Sequence, residues 1–105
     1  MTDLPLVGFI GLSAALLAIG LFGILTRRNF ILLLIAIEIA MNATILNFVY
    51  FAAYTGGTAG LTGQSIAVVL VGFAATEVAV GLAIVLALNR LKGTINVAQA
   101  TELKL

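Results

Sequence analysis

The chain has 105 residues, 63% of them hydrophobic and 9% charged, with a formal net charge of +1 and a mean hydropathy of +1.28. Soluble domains carry about a quarter charged residues, so this composition excludes a water-soluble fold of this size and calls for a lipid bilayer as solvent. The absence of Cys and His excludes the usual ligands of haem, iron–sulfur clusters and structural zinc, a Cys or His nucleophile, and any disulfide framework.

Three apolar runs follow one another, and the reading is an all-α membrane protein, one domain over 1–105. The first span covers roughly 4–25, with Asp3 suited to cap it and Pro5 to its first turn. A secretory signal has a basic n-region and an apolar stretch of about 7–15 residues; this run is longer and follows only Asp3, so it reads as a retained span. Thr26-Arg27-Arg28-Asn29 breaks the pattern. The second span covers roughly 30–54, with Asn29 as N-cap. A second break, 55–64, is rich in glycine, the third span covers roughly 65–88, and a polar tail occupies 89–105. Each run exceeds the about 20 apolar residues that a spanning helix needs. Arg27, Arg28, Arg90, Lys92 and Lys104 all fall on one side of this layout. The positive-inside rule puts that side in the cytoplasm or the mitochondrial matrix and the N-terminus outside.

Two carboxylates lie deep in these spans. A helix rises ~1.5 Å per residue, which puts Glu38 ~14 Å from Asn29 and Glu77 ~18 Å from Asn89, so the two are expected to differ in depth by ~4–5 Å. An ionisable side chain at such depth costs at least ~2.5–3.5 kcal/mol, whereas an interhelical hydrogen bond returns only ~0.6 kcal/mol on average. That imbalance points to proton or cation handling rather than to helix gluing. Asn42 follows Glu38 one turn along, with Met41, Ile45 and Val49 continuing the face. Ala36, Ala40, Ala43 and Asn47 form an opposite, small-residue face, so span two is expected inside a bundle. In span three, Ala75, Ala79, Ala83 and Ala87 recur at every fourth position and are expected to form a packing seam. The chain has no intramembrane Lys or Arg, so counter-charges and the missing walls are expected from other polypeptides.

The stretch GILTRRNFILLLIAIEIAMNATILNFV at 23–49 closely resembles the K, or 4L-type, subunit family of proton-pumping NADH:quinone oxidoreductase, respiratory complex I. The Leu-Thr-Arg-Arg-Asn turn, the Ile-Glu of span two, Asn42-Ala43 and Leu46-Asn47-Phe48 carry the likeness. Ala74-Ala75-Thr76-Glu77-Val78-Ala79-Val80-Gly81-Leu82-Ala83 fits as well. Ile45 stands where many members have a third Asn. The resemblance implies a non-redox subunit of a translocase, in the bacterial plasma membrane or the mitochondrial inner membrane. Glu38 and Glu77 would then couple NADH oxidation and quinone reduction to proton translocation, supported by Asn42, Asn47, Arg27 and Arg28. It implies flavin, iron–sulfur clusters, NADH and quinone on other subunits, with no cofactor or metal here. The implied partners are an antiporter-like subunit, other small membrane-arm subunits and the lipid bilayer, and no nucleic acid. The residues themselves leave two alternatives open: the small subunit of a multi-subunit cation/proton antiporter, and a scaffold subunit without a relay role. A four-span drug/proton exporter fits less well, because span one carries no charge.

Overall fold

The computed structural model describes residues 3–93 and 96–100. Three helices account for nearly all of them: α1 (Asp3–Thr26), α2 (Phe30–Thr55) and α3 (Gly57–Lys92), followed by one further turn, α4 (Val97–Ala100). α1, α2 and α3 are each long and apolar enough to cross a membrane. α2 is the central element, packed against α1 on one side and α3 on the other. The body measures 56 × 25 × 16 Å.

The first turn between helices forms as its residue types dictate. The Asn29 side-chain oxygen accepts from the backbone N–H of Ile31 at 2.8 Å and of Leu32 at 3.3 Å. It thereby satisfies two of the donors that the first turn of α2 leaves unpaired, as the sequence led us to expect. The second connection differs from expectation. The glycine-rich stretch 55–64 is not an extended break: Gly56 alone separates α2 from α3, with φ 66°, and Gly57 follows at φ 58°. Positive φ is open to glycine without steric cost, which is why so tight a reversal sits here. Gly60 and Gly63 are already helical. A Cβ at Gly60 would stand 2.7 Å from the Ala52 carbonyl oxygen, and one at Gly63 would stand 2.7 Å from the Ala52 Cβ. Close backbone approach of this kind stabilises membrane helix pairs and acts against the ~1 kcal/mol helix penalty of a glycine.

Both seams are built on a seven-residue spacing of small or buried positions. In α1 these are Ser13 and Gly20; in α2, Ala36, Ala43 and Tyr50; in α3, Gly60, Ala67, Ala74 and Gly81. Such a spacing keeps one stripe on a neighbour along a left-handed crossing. Ala36 and Ala43 are buried, and Ala40 is half-buried between them. They face α1, where a Cβ at Gly20 would lie 2.7 Å from the Ala40 Cβ and one at Gly23 would lie 2.6 Å from the Ala36 Cβ. The alanine run of span three is not the seam within the chain: Ala75, Ala79, Ala83 and Ala87 are all exposed. They lie across the helix from the Gly60–Gly81 stripe that meets α2.

The tail begins with an arrangement the sequence did not suggest. α3 closes on Gly93 in the left-handed region (φ 65°, ψ 21°), its N–H donating to the Asn89 carbonyl. Asn96 then bridges to Asn29, and the Val97 N–H donates to the Arg28 carbonyl at 2.6 Å. The chain thus returns to the turn between α1 and α2. Lys104 and the side chain of Asp3 lie outside the described residues.

Candidate functional site

The antiparallel register of α2 and α3 locates the two carboxylates. Ala52 meets Gly63 and Leu34 meets Gly81. Both contacts belong to one register, in which Glu38 stands level with Glu77. Each carboxylate lies one turn from the Leu34–Gly81 contact, in the same direction along the seam. The 4–5 Å depth difference inferred from distances to the span ends therefore disappears. Its source is the register: Asn29 stands level with Leu86, so the reference point Asn89 lies about 4–5 Å beyond Asn29 along the helix.

The carboxylates open on different sides of that seam. Glu38 is half-buried and lines a cleft of about 260 Å³ with Ile31, Leu34, Ile35, Ile39, Val78 and Leu82. Glu77 is exposed and lines a second cleft, of about 490 Å³, with Leu34, Phe73, Thr76, Val80, Gly81 and Ile84. At 100° per residue, Val78 and Leu82 lie to one side of the Ala74–Gly81–Val85 stripe that faces α2. Phe73, Glu77, Val80 and Ile84 lie to the other side. Both clefts are otherwise apolar; the one neighbouring hydroxyl, on Thr76, is turned to the Gly72 carbonyl of its own helix at 2.9 Å.

The supporting residues are less concentrated. Asn42 is exposed, one turn from Glu38, and Asn47 is half-buried between Ala43 and Tyr50 on the side toward α1. Arg27 and Arg28 are exposed in the first turn, at the end of the molecule that also carries Arg90 and Lys92. Arg27 borders a shallow cleft between α1 and α2 with Phe22, Gly23 and Leu32. Among the described residues, Glu38, Glu77, Asn42 and Asn47 have no side-chain hydrogen-bond or ion-pair partner. Nor do any three His, Cys, Asp or Glu residues converge there on a metal-sized site. Leu34 and Gly81 do not stand out in the sequence as site residues; only the register between α2 and α3 brings them together.

The sequence matches the family model for NADH-ubiquinone/plastoquinone oxidoreductase chain 4L over residues 9–105. It is 41% identical over 104 residues to NADH-quinone oxidoreductase subunit K of Geobacillus sp. (strain WCH70), covering 99% of each chain. The protein of the same description from Bacillus anthracis (strain CDC 684 / NRRL 3495) is 42% identical over 104 residues, again with 99% of each chain covered. That from Anaeromyxobacter sp. (strain K) is 41% identical over 100 residues, covering 95% of this chain and 98% of the relative. A match of this extent leaves no segment of the three helices outside the likeness: the chain belongs to the chain 4L, or subunit K, family of NADH-quinone oxidoreductase, and is a multi-pass inner-membrane subunit of the membrane arm of respiratory complex I.

Proposed function

We propose that Glu38 and Glu77 form a lateral proton-relay pair in the membrane arm, with this chain contributing no redox group of its own. The observation that carries the reading is their placement: level along the α2–α3 register and opening on opposite flanks of one seam. Neighbouring helix axes lie ~8–10 Å apart, so a proton passing between the two carboxyls moves in the plane of the membrane. Hydrogen-bonded water or a partner side chain must bridge that gap. A carboxyl gains or loses its proton when the charge beside it changes, so the pair responds to charged groups on adjacent subunits. Asn42 and Asn47 supply neutral hydrogen-bonding groups near the path. Arg27 and Arg28 hold the basic end of the molecule on the cytoplasmic or matrix side, which puts the N-terminus outside. The chain has neither Cys nor His, in keeping with flavin, iron–sulfur and quinone sites on other subunits. Exposed Glu77, and the exposed face of α3 around Ala75, Ala79, Ala83 and Ala87, suit contact with an antiporter-like subunit and other small membrane-arm subunits.

The test keeps shape and removes charge. Gln preserves the size and most of the hydrogen bonding of Glu but cannot ionise. Glu38→Gln and Glu77→Gln are each expected to leave the complex assembled, with at least one lowering quinone reduction and proton pumping together. Normal coupled pumping by the double variant in fully assembled complex would refute the relay and leave a scaffold role. A reporter fused after Lys104 that is accessible only from the outer compartment would reverse the orientation.

A further inference from the structure

We propose that Leu34, seated on Gly81, is the gate at which a proton crosses from the Glu38 cleft to the Glu77 cleft; the proposal rests on the relay reading above. Among the described residues Leu34 alone lines both clefts. It is half-buried in the α2–α3 seam, and its two terminal methyls lie over the spot where any residue larger than glycine would carry its Cβ. A Cβ at Gly81 would collide with Leu34 Cδ2 and would lie 3.0 Å from Cδ1. The glycine is therefore a socket for the leucine tip. With the tip in the socket, an apolar side chain fills the crossing, and water on one flank has no hydrogen-bonded path to water on the other. A leucine side chain can leave such a socket by changing rotamer, without moving either helix.

The step that the gate controls is balanced. One O–H bond of the Glu38 carboxyl breaks as its proton joins the first bridging water. The last water passes a proton to the Glu77 carboxylate, where an O–H bond forms. The number of waters and electrons is unchanged, and one positive charge has crossed the seam. A closed gate prevents the return of that proton until the charges around the pair have changed, which is what a pump requires of any lateral step. Leu34 is thus a positioning residue: it touches the path rather than holding the proton.

The experiment uses whole complex I in proteoliposomes, with Leu34→Ala, Leu34→Val, Leu34→Met and Leu34→Phe beside Glu38→Gln and Glu77→Gln. Each is normalised to assembled complex, and protons translocated per NADH oxidised are read alongside the quinone-reductase rate. The small variants leave the crossing open. They are expected to keep electron transfer while the proton-to-NADH ratio falls at least about twofold, as a gate that no longer closes lets protons return. Val, the milder truncation, serves if Ala lowers assembly. Phe blocks the crossing and is expected to slow quinone reduction and pumping together, at an unchanged ratio. Met, similar in volume and flexible, is expected to restore both. Mere packing damage would move small and large variants in the same direction and leave the ratio intact. That outcome, or a normal ratio in both Ala and Val variants, overturns the gate. If the Glu→Gln variants are impaired while the Leu34 variants pump normally, the gate fails and the relay stands. If the Glu→Gln variants pump normally, the relay fails first.

Discussion

The two seams of α2 are built on the same seven-residue spacing and yet differ in what fills them. Against α1, glycine meets alanine, and the atoms opposing a Cβ at Gly20 include the Ala40 backbone nitrogen at 2.8 Å and the Ala36 carbonyl oxygen at 2.9 Å. Against α3, the glycine end is equally close at Gly60 and Gly63, but one long side chain, Leu34, enters the seam at Gly81. Backbone-to-backbone packing leaves nothing that can move without separating the helices. A leucine in a glycine socket is a part that can move while the helices stay in place. The carboxylates lie beside the seam that contains such a part.

The largest expected effect breaks the rigid seam. Gly20→Ala sets a methyl against backbone atoms that cannot yield, so the helices must separate along their length. Overpacking of this kind costs ~1–3 kcal/mol, and a bulkier Gly20→Leu is expected to abolish incorporation of the subunit into the complex. Gly72→Ala is the control: nothing lies within 4 Å of a Cβ at that position, so any loss there would come from another subunit. The measurement is the amount of intact complex in membranes on native gels. If Gly20→Ala assembled as well as Gly72→Ala, the α1–α2 seam would not be the close contact described.

Gly81→Ala is expected to have a smaller effect, although its Cβ meets the nearer atom. The opposing atoms are the ends of a flexible side chain. Turning Leu34 off its preferred rotamer costs ~0.5–1.5 kcal/mol. Removing a mid-helix glycine returns up to ~1 kcal/mol. Assembly is therefore expected to be near normal, whereas Leu34 loses its socket. The order of assembly, Gly72→Ala and Gly81→Ala above Gly20→Ala, separates a movable seam from a fixed one. The opposite order would remove the distinction.

The sequence made some of this legible and hid the rest for identifiable reasons. Apolar runs marked all three helices, because a bilayer demands continuous hydrophobic length. Asn29 was legible as a cap because its side chain acts on the two residues that follow it. Both glutamates stood out because charge is expensive in lipid. The start of α3 is hidden in the sequence, since glycines that signal a loop in water also allow close helix packing in a membrane. The stripe of α3 that meets α2 is hidden by its period. Ala75, Ala79, Ala83 and Ala87 form a visible four-residue pattern, whereas the stripe in contact with α2 mixes glycine and alanine at seven. The level placement of Glu38 and Glu77, and the return of the chain at Asn96 to Asn29, depend on register between helices, which no single helix encodes.

The smallest expected effect concerns the end of the rigid seam away from Gly20 and Gly23, where Tyr50 stacks on Phe9 with ring centroids 4.4 Å apart. Its hydroxyl is buried and has no hydrogen-bond partner among the described residues. Stacking needs only the ring, so Tyr50→Phe keeps the contact and deletes the unpaired group. In water-soluble proteins an unsatisfied buried hydroxyl costs ~1–3 kcal/mol. In a membrane the separated helices also lack water, and polar contacts there average only ~0.6 kcal/mol, so the gain on removing the group shrinks accordingly. Tyr50→Phe is thus expected to leave quinone reduction and pumping unchanged and to raise the thermal stability of the complex by a degree or less, read by activity remaining after graded heating. A clear loss of stability would mean that a neighbouring subunit provides a partner for the hydroxyl. The α1–α2 seam would then be a polar docking point at this end, and its contrast with the α2–α3 seam would be confined to the half that contains Gly20 and Gly23.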